Sequence, residues 1–236
     1  MANSFAVATG SGVAVTTVTT SSSVTLASGD VLVVGVITPT NTTTVSGVVF
    51  NSGSQSLTSV DNQTISAATS CNLHVWALVS GSTGTGTVTG TLSLAGNCAI
   101  IACVISGAAS GAGYRDTAQK TSGSSNAPSL TITSEAGDDA LAFIGFRNTN
   151  SSWTPDSSPV SELGTITSGT GTSHVRISLL RETGSASTSP SGVAGSSKDW
   201  VAVGFNVNAA ASSSGLGSLL RGLSRASIVG PTALVA

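Results

Sequence analysis

The side chains able to do chemistry are few and scattered along the chain. His74 and His174 are its only histidines, so any imidazole-based proton transfer would have to use one of them. They stand in similar contexts, His74-Val75-Trp76 and His174-Val175-Arg176, on the polar side of an alternating apolar pattern. That placement predicts outward-facing rings, turned to solvent or to a neighbouring molecule. Asp138 and Asp139 follow Gly137 and invite a metal reading. Asp30 occupies the same kind of Gly-Asp corner, and Asp bonds its neighbouring backbone in tight turns. The pair therefore reads as a structural turn, not as a cation site. Cys71, Cys98 and Cys103 are odd in number and show no CxxC spacing, which argues against a disulfide framework and a zinc site. They read as small buried hydrophobes, with Cys98 and Cys103 on opposite faces of one strand. No nucleophile elbow, HExxH or Walker loop is present. The expectation is a protein with no catalytic set, no cofactor and no metal.

Two aromatic residues are candidates for contact instead. Trp153 lies in the loop-like run Asn150-Ser-Ser-Trp-Thr-Pro-Asp156, where a ring can stack on a sugar or fold back to cap the core. Trp76 projects from the outward side of its strand, where Arg176 stands in the corresponding later stretch. A lone large aromatic there predicts a subunit contact. Asn41, Asn62 and Asn150 fit the glycosylation pattern, but the start of the chain shows no secretory signal, so they are given no weight.

The elements that hold these residues must be strands. Only 8% of the residues are charged and 39% are apolar, with 28 glycines and a net charge of −2. Ordinary soluble domains carry roughly a quarter charged residues, so the polar surface here must come from Ser, Thr and Asn. The absence of a basic cluster excludes a nucleic-acid partner, which depends on phosphate neutralisation. No run approaches the roughly 20 apolar residues of a membrane span. The clearest element is Gly29-Asp-Val-Leu-Val-Val-Gly-Val-Ile37, a tight corner feeding a β-branched strand. It returns as Gly137-Asp-Asp-Ala-Leu-Ala-Phe-Ile-Gly-Phe146, offset by 108 residues. His74–Trp76 matches His174–Arg176 at an offset of 100, and 99–105 matches 201–207 at 102. About ten short strands in two similar halves predict an all-β sandwich of two packed sheets. The repeat allows two tandem modules, but with no Pro- or charge-rich linker between the halves, one interleaved sandwich over residues 1–211 is expected instead. Its core should contain Leu32, Val34, Val75, Leu92, Ile101, Phe143, Val175, Val203 and Phe205.

Composition changes after residue 211. A flexible Ala/Ser/Gly joint leads into residues 212–236, where Leu216, Leu219, Leu220 and Leu223 share one helical face, with Arg221 and Arg225 off it. Ile228 and Val229 add apolar surface before Pro231. An apolar, cationic tail of this kind is expected to order against a partner and so to serve as the attachment element.

The motifs Val24-Thr-Leu-x-x-Gly29-Asp-Val-Leu-Val-Val34, Val45-Ser-Gly-Val48, His74-Val-Trp-Ala-Leu-Val79, Thr87-Val-Thr-Gly-Thr-Leu92 and Trp200-Val-Ala-Val-Gly-Phe205 give the chain a further likeness. It resembles the β-sandwich structural proteins of tailed bacteriophages, of the capsid-decoration, cement or fibre type. The resemblance spans roughly residues 20–208. It implies a jelly-roll-like fold, a homo-oligomer with a trimer favoured, and contacts with other virion proteins such as the major capsid protein. It also implies a place on the virion after synthesis in the host cytoplasm, and it brings no catalytic residues. The alternative within that resemblance is a tail or fibre protein that binds a host glycan, with Trp153 as the platform.

Overall fold

In a computed structural model, residues 3–65, 71–79, 83–108, 118–147, 152–156, 159–170, 173–184 and 187–208 are described. All of the regular structure among them is β. The first half contributes β1 (Ser4–Thr19), β2 (Val24–Leu26), β3 (Val31–Thr38), β4 (Val45–Phe50), β5 (Gln55–Ser56), β6 (Thr58–Ile65), β7 (Cys71–Val79), β8 (Gly84–Gly86) and β9 (Val88–Ser106). The second contributes β10 (Gln119–Ser125), β11 (Ile132–Thr133), β12 (Asp139–Arg147), β13 (Trp153–Pro155), β14 (Val160–Ser168), β15 (Val175–Thr183), β16 (Ser187–Thr188), β17 (Gly192–Ala194) and β18 (Lys198–Val207).

The repeat is real at the level of topology. In the first sheet β9, β3, β7 and β6 are neighbours in that order, with β1 on the far side of β9. The second sheet runs β10-β18-β12-β15-β14, the same order strand for strand. Both corners are built alike: Asp30 N–H donates to Ala27 O and Asp138 N–H to Glu135 O, each at 3.1 Å. Gly29 and Gly137 take φ of 89° and 95° at the third turn position, the left-handed geometry a type II turn requires. The halves do not interleave, however. Each forms one large sheet, and the large sheets meet face to face.

The shared core lies between them. Val33, Leu73, Val75, Ile101 and Ile105 of the first sheet pack with Phe143, Ile177, Val203 and Phe205 of the second. Contacts between the sheets follow a pseudo-two-fold relation, β9 lying over β15 as β18 lies over β7, and β1 over β14 as β10 over β6. Near this axis, equivalent positions carry complementary residues. Phe143 presses on Gly35, where an added Cβ would sit 2.5 Å from the ring, and Ile37 fills the space over Gly145.

Each sheet also buries its outer face, which the sequence alternation does not announce. On the first, the chain curls. β9 is 19 residues long; its end pairs with β3 and its start with β4. β1 follows it with register shifts at Gly12/Val15 and Val15/Thr17. The resulting leaf encloses a second core of Leu32, Val34, Val36, Phe50, Leu92 and Ile100. On the second sheet the short pairs β11–β16 and β13–β17 cover Ala140, Ile144, Phe146, Leu180 and Trp200. All nine residues expected in the core are buried, but they divide between two cores: Leu32, Val34 and Leu92 lie under the leaf and the other six between the sheets. Leu94 is 55% exposed, where β9 passes from its pairing with β4 to its pairing with β3.

Candidate functional site

His74 is not outward-facing. It is 5% exposed, on the covered face of β7 in the row formed with Asn62, Val36 and Ile100. Its Nε2 accepts a long hydrogen bond (3.4 Å) from Val45 N–H, the first residue of β4 in the leaf. Burial lowers its pKa to about 4, because the charged ring would lose its hydration. Nor is it the counterpart of His174. Val36 pairs with His74 and Ile144 with Ser178, so an offset of 104 residues matches His74 with Ser178, itself buried and paired with Thr165 at 2.9 Å. His174 precedes β15, in the other sheet. The structure therefore brings the two rings to different sheets.

The acidic pair divides its labour. Asp138 is the turn residue: its carboxylate takes Asn206 Nδ2 at 2.6 Å and its carbonyl takes Gly184 N–H at 2.6 Å. Asp30 does the corresponding work at Ala27 N–H, 2.9 Å away. Asp139 stands where Val31 stands in the first half, in a strand, and is buried. Arg181 Nε donates to it at 2.7 Å and Asn3 Nδ2 at 2.8 Å, while the guanidinium lies 4.9 Å over the Phe5 ring. This cluster ties the first strand to the opposite sheet. The sequence carried one overlooked signal, a charge inside a strand of a chain that has few charges. No group of three or more His, Cys, Asp or Glu suited to a metal occurs among the described residues.

The tryptophans face inward in part. Trp153 in β13 stacks against Phe146, centroids 4.9 Å apart and planes at 57°. Its edge lies across Gly192 and its N–H donates to Glu162 at 3.2 Å. One ring face is thus committed to the outer core of the second sheet. Trp76 is half-buried against the core under the leaf, and its buried indole N–H meets no hydrogen-bond partner among the described residues. The cysteines are free and buried, with Cys98 under the leaf and Cys71 and Cys103 between the sheets. Burial raises the thiols to about 12, 11 and 12 for Cys71, Cys98 and Cys103, so they are protonated at neutral pH and poor nucleophiles.

An open groove of about 360 Å³ lies between Gln119–Thr121 of β10 and Ser129–Thr131. Its charged side chain, Lys120, is bonded to Asp61 of β6 at 2.8 Å. Asn150 and the tail residues Leu216, Leu219, Leu220, Arg221, Leu223, Arg225, Ile228 and Val229 lie outside the described residues. No helix among the described residues is long and apolar enough to cross a membrane. No protein-family model, no curated protein and no solved structure matches the chain.

Proposed function

We propose that the protein is a non-enzymatic structural component of a virion, attached to a capsid exterior as a homo-oligomer. One observation carries the reading: among the described residues, His74, Asp138, Asp139 and the three cysteines are engaged in holding the fold. His74 links the leaf to the sheet, Asp138 closes a turn, Asp139 joins the halves and the thiols are buried. What remains on the surface is mostly hydroxyl and amide, suited to broad, weakly charged contacts. The residues from Ser212 on supply the attachment element in this reading, through Leu216, Leu219, Leu220 and Leu223 with Arg221 and Arg225. The test is a chain ended after Ala211, compared with the full chain for folding, oligomeric mass and co-sedimentation with capsids. The expected outcome is an unchanged thermal transition with loss of assembly or capsid binding. Equal binding by both chains would remove the tail from this role. Failure of the full chain to bind capsids would remove the reading itself.

A further inference from the structure

Three features of the sandwich bear on what else its inner faces can accept. First, each half completes its own outer core: the core under the leaf draws only on residues 8–104 and the outer core of the second sheet only on 130–202. The apolar body they share is the one between the sheets. Second, one covalent crossing joins them, from Ser106 to Gln119, and its sequence includes Gly107, Gly111 and Gly113. Third, the shared face is keyed. The first sheet offers Gly35 and Ile37, and the second answers at the equivalent positions with Phe143 and Gly145. Two first sheets placed together would set Gly35 against Gly35, leaving a void. Two second sheets would drive Phe143 into Phe143. Both arrangements forfeit close packing, which is destabilising in a core.

We infer that the partner fitted by the inner face of either sheet is the opposite sheet, from the same chain or from a second copy, so that two chains can exchange halves. An exchanged dimer rebuilds each described contact between the two sheets twice. It keeps the keyed pairs, and also the bonds Asn3–Asp139, Lys120–Asp61, Gln63–Ser122 and Asn97–Ser173 that rim the interface. Exchange of this kind is a low-cost route to a dimer because it needs no new surface. The inference is independent of any place on a virion.

The keyed pairs supply the test, using full-length chains. Gly35→Phe gives a chain with bulk on both faces, and Phe143→Gly one with bulk on neither. Refolded separately, each should lose its cooperative melt or show a much lowered Tm. Refolded together, they should form a species of twice the monomer mass and 1:1 composition by native mass spectrometry, with the cooperative melt recovered. In that species one interface is the native pair and the other the same pair reversed. The single chain carrying both substitutions is the control, expected to melt cooperatively as a monomer. Wild-type chains refolded at rising concentration should likewise yield a dimer that persists on dilution. A mixture that behaves as the sum of its parts, beside a cooperative double variant, overturns the exchange. A double variant that does not fold overturns the keying on which it rests, and wild-type chains that refold only to monomers at every concentration overturn the proposal as well.

Discussion

His74 shows how a residue type can mislead when its neighbourhood is set by distant chain. Its pattern with Val75 and Trp76 marks the face opposite the shared core, which in a two-layer sandwich is the wet face. The curl of β9 places Val45 and the leaf over that face, and nothing local to His74 encodes the curl. The consequence can be measured. A folded-state pKa near 4 against about 6.5 unfolded means that the unfolded chain takes up a proton which the folded chain refuses. The stability contributed by the neutral ring is complete above pH 6.5 and declines as pH falls from 6.5 towards 4, by about 3 kcal/mol in all. Urea titrations at pH 7 and pH 4.5 should show this loss in the wild type and a smaller one in His74→Gln, whose side chain does not titrate. Equal losses would mean that the ring is solvated. Asp139 teaches the complementary lesson, since the sequence marks it as unusual while its partners Asn3 and Arg181 lie 136 and 42 residues away.

At the scale of elements, the corners and central strands were legible and the leaf was not. Gly29-Asp30 and Gly137-Asp138 specify their turns locally, through a left-handed glycine and an Asp N–H that closes on the carbonyl three residues earlier. β3, β12 and residues 98–105 of β9 are apolar on both faces because both faces are covered. The bend of β9, by contrast, rests on register shifts against β1 and β4, and a shift of register leaves no periodic mark in composition. The same limit explains the mismatched histidines. The halves align at offsets of 108 at β3, 104 at β7 and 102 at β9, so fixed-spacing comparison slips between strands. The two corners allow a clean comparison, because an added Cβ at Gly29 or Gly137 would meet nothing within 4 Å. Gly29→Ala and Gly137→Ala should therefore each cost about 1–2 kcal/mol through backbone strain alone, measured by chemical denaturation. A cost near zero at either would show that the corner tolerates another turn type.

As a whole, the molecule is two similar sheets joined through one apolar body, and that body should make its unfolding a single event. Removing either sheet would expose the inner face of the other, including Phe143, Phe205, Ile101 and Ile105, so a half-folded state leaves a large apolar surface in water. Calorimetry should show one transition, with the van't Hoff and calorimetric enthalpies equal, and two resolved transitions would mean that the halves are separately stable. The outline of a two-part sandwich could be read from the repeat, whereas the facing of whole halves could not, since pairing across 100 residues has no local signature. The curl of the first sheet carries a consequence of another kind. Ser21 closes on Thr9, backbone N–H and hydroxyl both donating to its carbonyl at 2.8 Å, and Thr19 lies directly over Gly10. The far end of β1 thereby covers its middle, in a strand of 16 residues without a single charge. Sequences of that type are the usual seeds of fibres, and most proteins guard them with lysine or proline. Here the guard is shape, so it does not weaken as salt screens charge or as acid neutralises carboxylates, and the colloidal behaviour of the folded chain inherits that indifference.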